Sequence, residues 1–127
     1  MRSLWISILS LAILISIWGV FFHSSHQQLT EMTQHCQGFI MEAVEQEDWE
    51  KANTAFSQEY QRWHEYRRIA LFFLDTQSIN ETDQTFAKTL KYIKAEDRSN
   101  SSGELLSLTE QLKTLHENES ITWQNIL

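Results

Sequence analysis

The sequence predicts an all-α protein: an N-terminal transmembrane helix followed by an up-down-up-down four-helix bundle made of two αα-hairpins. Three observations predict it. An uncharged apolar run opens the chain, apolar residues recur beyond it at intervals of three and four, and 127 residues include no proline and only three glycines. Proline and glycine punctuate loops and sheets, so their scarcity favours long helices.

Leu4–Phe22 is nineteen residues without a charge, a proline or an amide side chain. As a helix it spans roughly 29 Å, against a hydrocarbon core of about 30 Å. Its Leu, Ile, Val and Phe residues together favour insertion by about 4–7 kcal/mol, which exceeds the cost of its three serines and Gly19. The run is too long for the apolar core of a cleaved signal peptide, and Gly19-Val20-Phe21-Phe22-His23 offers no small-x-small cleavage pair. An uncleaved anchor is therefore expected. Arg2 and the terminal amine lie on one side of it, and no Lys or Arg follows until Lys51. The positive-inside rule then puts residues 1–3 in the cytoplasm, 4–22 in the membrane and 23–127 outside.

Beyond the anchor, Leu29, Met32, Cys36, Phe39, Ile40, Ala43 and Val44 form one face of a helix ending near Glu47. No breaker separates it from the anchor, so the two are expected to form one rod, which Gly38 weakens by about 1 kcal/mol. Asp48 is suited to cap the next helix. That helix buries Trp49, Ala52, Phe56, Tyr60, Trp63, Tyr66, Ala70 and Phe73, and closes with the apolar run Ile69 to Leu74. Asp75-Thr76-Gln77 breaks the pattern, and Ser78 with Glu81 has the form of a capping box. The third helix then turns Ile79, Phe86, Leu90 and Ile93 inward and Lys88, Lys91, Lys94 and Arg98 outward. Glu96 to Gly103 has the composition of a loop, and Ser101 with Glu104 makes a second capping box. A last helix lined by Leu105, Leu108, Leu112 and Leu115 ends near Asn118, and a tail from Ile121 to Leu127 closes the chain. Glu47-Asp48 and Glu96-Asp97 occupy matching places, which points to two hairpins in tandem.

Several segments together resemble a family of short, single-pass membrane proteins of Gram-positive bacteria, catalogued only as a domain of unknown function. They are Glu47-Asp48-Trp49-Glu50-Lys51-Ala52, Trp63, Phe73-Leu74-Asp75 with Ile79, Leu90-Lys91-Tyr92-Ile93 with Glu96-Asp97, and Asn125-Ile126-Leu127. The sequence departs from the family pattern at Thr76, where His is common, and at Ser101–Gly103, where an alanine-rich helix start is usual. The resemblance implies a bacterial envelope and a helical fold. It implies no activity and carries over no functional residue.

The net charge is −7, and the part beyond Arg2 is one unit more acidic. Nucleic acid is not an expected partner, because it needs a basic stripe. No catalytic or cofactor constellation is present, so a non-enzyme without a cofactor is expected. His23, His26, His35, Cys36 and His64 lack the spacing of converging metal ligands and read as surface histidines and a buried thiol. The favoured reading of Cys36 is a small buried hydrophobe, and the alternative is a disulfide joining two copies in a homodimer. The aromatic stripe Trp49, Phe56, Tyr60 and Trp63 reads as core.

Chain direction gives the sharpest expectation. The helices alternate away from and toward the membrane, so Ile69, Leu71, Phe72, Phe73 and Leu74 meet Ile121, Trp123, Ile126 and Leu127 at the outer end of the anchor. Either the tail caps the bundle over Ile69–Leu74, or this base touches lipid or the transmembrane helices of an integral membrane partner. The leading expectation is thus a non-catalytic, membrane-tethered interaction module. The runner-up is an extracytoplasmic sensor or small-ligand-binding bundle.

Overall fold

A computed structural model describes residues 2–126, with side chains for all of these except residues 22 and 120–126. Helix α1 (Arg2–His35) runs without a break into a π turn (Cys36–Ile40) and a short helix α2 (Met41–Glu45), making the expected rod. Helices α3 (Trp49–Ala70), α4 (Thr76–Lys94) and α5 (Arg98–Ile126) follow. No strand occurs among the described residues. The rod packs on α3 and α5, and α4 packs on α3 and α5.

The π turn has a reason in the spacing of the apolar face. Met32, Cys36, Ile40 and Val44 are fully buried and each is four residues from the next. In an α-helix every such step overshoots a full turn by about 40°, so three steps drift by about 120°. A π turn takes an extra residue into the turn and brings the face back into line. The same correction rotates Phe39 outward, against the expectation that it is core. It is 47% exposed, and Lys51 Nζ lies 4.5 Å from its ring centroid, a cation–π contact.

The two Glu-Asp turns are the same device. Asp48 N–H donates to the Ala43 carbonyl and Glu47 N–H to that of Val44; Asp97 and Glu96 repeat this with Tyr92 and Ile93. This pairing ends a helix when the residue at its centre adopts a left-handed conformation. Glu47 (φ 59°) and Glu96 (φ 56°) do so. Each following Asp then opens the next helix: Asp48 accepts from Lys51 N–H at 3.3 Å, and Asp97 from Asn100 N–H at 3.1 Å.

Four boundaries differ from expectation. Helix α3 stops at Ala70, so residues 71–74 form a turn rather than a helical close. Asp75, instead of Ser78, caps α4; its carboxylate accepts from the Ser78 N–H and hydroxyl. The loop expected over Glu96–Gly103 is helical from Arg98, because Asp97 already supplies the cap. Ser101 is therefore no cap: it is buried in the first turn, where its hydroxyl donates to the Asp97 carbonyl. Helix α5 also runs past Asn118 to Ile126.

The core collects Leu29, Met32 and Ile40 from the rod, Phe56, Trp63 and Tyr66 from α3, Ile79, Phe86 and Ile93 from α4, and Leu105, Leu108, Leu112 and Leu115 from α5. Trp63 stacks on Phe86 at 5.2 Å between centroids, and Phe56 lies 5.6 Å from the same ring. The indole N–H, which needs a partner when buried, donates to Asp83 at 3.0 Å. Trp63 and Phe56 thus lie in the core, with Tyr60 and Trp49 packed at its edge. Thr82, Thr85 and Thr89 of α4 and Thr109 of α5 are buried, and each hydroxyl donates to the carbonyl four residues back.

Candidate functional site

One end of the molecule combines an exposed apolar rim with a buried polar cluster. The rod supplies its axis. From Leu4 to Ile17 every side chain is exposed, the large apolar ones by 53–71%. A helix apolar all round and bare all round has no face to give to a protein core.

Near the end of this segment Trp18 and Phe21 are half-buried, and Phe73 of the α3–α4 turn packs on both. Phe73 meets Trp18 edge-to-face at 5.4 Å and Phe21 at 4.9 Å. Around it Phe72 is 83% exposed, and Leu71 and, in the last turn of α3, Ile69 are exposed as well, whereas Leu74 packs against the core. The structure thereby brings Ile69, Leu71, Phe72 and Phe73 together beside the C-terminal end of the apolar segment. The side chains of Ile121, Trp123, Ile126 and Leu127 lie outside the described residues.

Immediately inside this rim, sequence reading missed a polar cluster. The Ser25 hydroxyl donates to the Tyr66 hydroxyl at 3.0 Å. Glu119 is 7% exposed, and neither carboxylate oxygen has a hydrogen-bond partner among the described residues. Burial pushes its pKa above the ordinary carboxylate value; the Ser25 and Tyr66 hydroxyls offset this in part without reaching hydrogen-bonding geometry. Burial and the Glu119 charge raise the Tyr66 phenol in turn. A signal for this cluster was present. Glu119 continues the α5 stripe Leu105, Leu108, Leu112, Leu115, and Ser25 continues the rod stripe backward from Leu29 and Met32. Stripe continuity places both residues inside whatever their polarity.

Next to the cluster, His26 and His116 bring their Nε2 atoms within 3.2 Å. Burial first, and His26 second, lower the His116 pKa, because two adjacent imidazolium rings repel. Among the described residues no group of three or more His, Cys, Asp or Glu converges as a metal site requires. A cleft of about 300 Å³ between the rod and α3 is lined by Phe21, Ser24, Ser25, Gln28, Arg62, Glu65, Tyr66 and Ile69.

Farther along the rod, Cys36 is fully buried. Burial, reinforced by Glu59, pushes its thiol up to about 12. The nucleophile in disulfide chemistry is the thiolate, so a bridge between copies requires the rod to open first. His35 Nδ1 lies 2.5 Å from the buried Glu59 carboxylate, and Arg62 bridges Glu59 to Glu31 at 3.9 and 3.1 Å.

Compared with known families, residues 20–126 match the family described as a domain of unknown function (DUF4363). The chain belongs to that family. The DUF4363 match begins at Val20, so it takes in the α3–α4 turn, the polar cluster and all the core, and omits most of the apolar segment. No curated protein and no solved structure matches the chain. DUF4363 membership thus carries no activity with it.

Proposed function

We propose that this protein is a membrane-tethered, non-catalytic interaction module of a bacterial envelope, which holds or regulates an integral membrane partner. Leu4–Phe22 is its single transmembrane anchor. The N-terminus is cytoplasmic and residues 23–127 stand outside as an up-down-up-down bundle of two αα-hairpins. The partner is met through the anchor and the apolar base. The observation that carries this reading is the exposed set Ile69, Leu71, Phe72 and Phe73, placed against the outer end of an equally exposed apolar helix. Monomeric soluble surfaces rarely leave such a contiguous patch bare.

Purification in mild detergent tests the partner. A protein that accompanies the wild-type chain and is lost from a Leu71→Ser, Phe72→Ser variant with unchanged circular dichroism is the expected result. The same companions with both chains overturn the reading. Protease shaving of intact cells tests topology: residues 23–127 should be digested, and their protection would reverse the assignment.

A second reading has its own observation. The cleft beside Ser25 and Tyr66 is lined by polar groups from two elements, as a small-ligand sensor requires. A ligand screen by thermal shift separates the two, since a sensor gains stability with its ligand and a tether with a vacant cleft does not.

A further inference from the structure

We propose that the α3–α4 turn, residues 71–74, is a second membrane contact that inserts into the outer phospholipid interface beside the anchor and holds the domain upright. The inference rests on Leu4–Phe22 spanning the bilayer.

The argument is one of height. Trp18 lies four residues below the end of the apolar segment, which is about 6 Å along a helix. Phe73 touches both Trp18 and Phe21, so the turn stands level with the last turn of the span. A span that fills the hydrocarbon therefore brings the turn to the headgroup–acyl boundary. The residues of the turn suit that level. Phe72 points away from the domain with 83% of its surface bare, and Leu71 is exposed beside it. Moving such side chains from water into an apolar phase is favourable.

The flanking charges set the depth. Arg68 is exposed in the last turn of α3, where it reaches phosphate. Asp75 caps α4 immediately after Leu74, its carboxylate held by Ser78. Both charged groups belong in the headgroup layer, so only the tip enters. Shallow burial of about 5–10 Å is typical of interfacial elements. A single helix allows the outer domain to tilt and rotate freely. A second contact on one side removes that freedom and fixes which faces of the domain are presented sideways.

The test uses the full chain in nanodiscs of phosphatidylcholine and phosphatidylglycerol. Phe72→Cys, Leu11→Cys and Glu50→Cys are labelled separately with a polarity-sensitive fluorophore. Cys36 is buried and protonated, so wild-type protein serves as the unlabelled blank. The label at 72 should lose most of its emission to a nitroxide carried near the lipid headgroup and little to aqueous iodide. The label at 11 should respond to a mid-chain nitroxide, and that at 50 to iodide alone. A label at 72 quenched by iodide, with 11 still quenched in mid-chain, overturns the insertion and leaves the anchor intact. A label at 11 that iodide reaches removes the anchor and the insertion together.

Discussion

Glu47 and Glu96 each hold a left-handed backbone that costs a non-glycine residue roughly 1–2 kcal/mol. Glycine relieves that cost and returns part of it as unfolded-state entropy. Glu47→Gly and Glu96→Gly should therefore each stabilise the fold by about 0.5–1 kcal/mol, read as a higher thermal midpoint. Glu119 makes a pH-dependent case. Its pKa in the fold lies above the ordinary 4.5, so the folded state keeps a proton that the unfolded chain has released. Stability from this residue is greatest below 4.5 and falls as pH rises from there through the folded value. Glu119→Gln should raise the midpoint at neutral pH, with the advantage shrinking as the solution is acidified. Equal midpoints across that range would show that the carboxylate is satisfied in the fold.

Helix boundaries were decided by single side chains competing for the same backbone groups. Asp, Ser and Asn all cap helices, and the sequence offers two or three of them at each turn. At the start of α4 and α5 the earlier Asp wins, leaving Ser78 and Ser101 inside the first turn. Glycine inside the helices is a separate matter. A Cβ added at Gly38 or Gly103 meets nothing within 4 Å, and neither has a positive φ. Gly103→Ala should therefore stabilise α5 by about 1 kcal/mol, measured from the urea midpoint. Gly38→Ala should do the same for the rod, provided the π turn is driven by packing of Cys36 and Ile40 instead of by glycine's freedom. A loss of stability at 38 would locate the cause in the glycine.

At the scale of the molecule, the hydrophobic core of the described residues begins at Leu29, and none of those in the apolar segment belongs to it. A chain starting at His23 should consequently fold on its own, with the helical circular dichroism and cooperative melting of the full chain in detergent. It should also bind a hydrophobic dye at Phe73, from which Trp18 and Phe21 have been removed. A truncated chain without cooperative melting would mean that the rod's lower half is needed to nucleate the fold.

Periodicity alone determined the helical class, the continuous rod, the turns at Glu47-Asp48 and Glu96-Asp97, and most of the core. These follow from which residues lie three or four apart, a property that survives without knowledge of any neighbour. Tertiary structure decided the rest. It turned Phe39 outward through the π turn, set Asp75 and Asp97 as caps, buried Glu119 against Tyr66 and Ser25, and laid Phe73 on Trp18 and Phe21. Each outcome depends on what stands across the interface: a face that must stay in register, a carboxylate that arrives first, a stripe that buries whatever residue continues it. Residues distant in the sequence meet only when the helices pack, and that packing brings the apolar turn beside the C-terminal end of Leu4–Phe22.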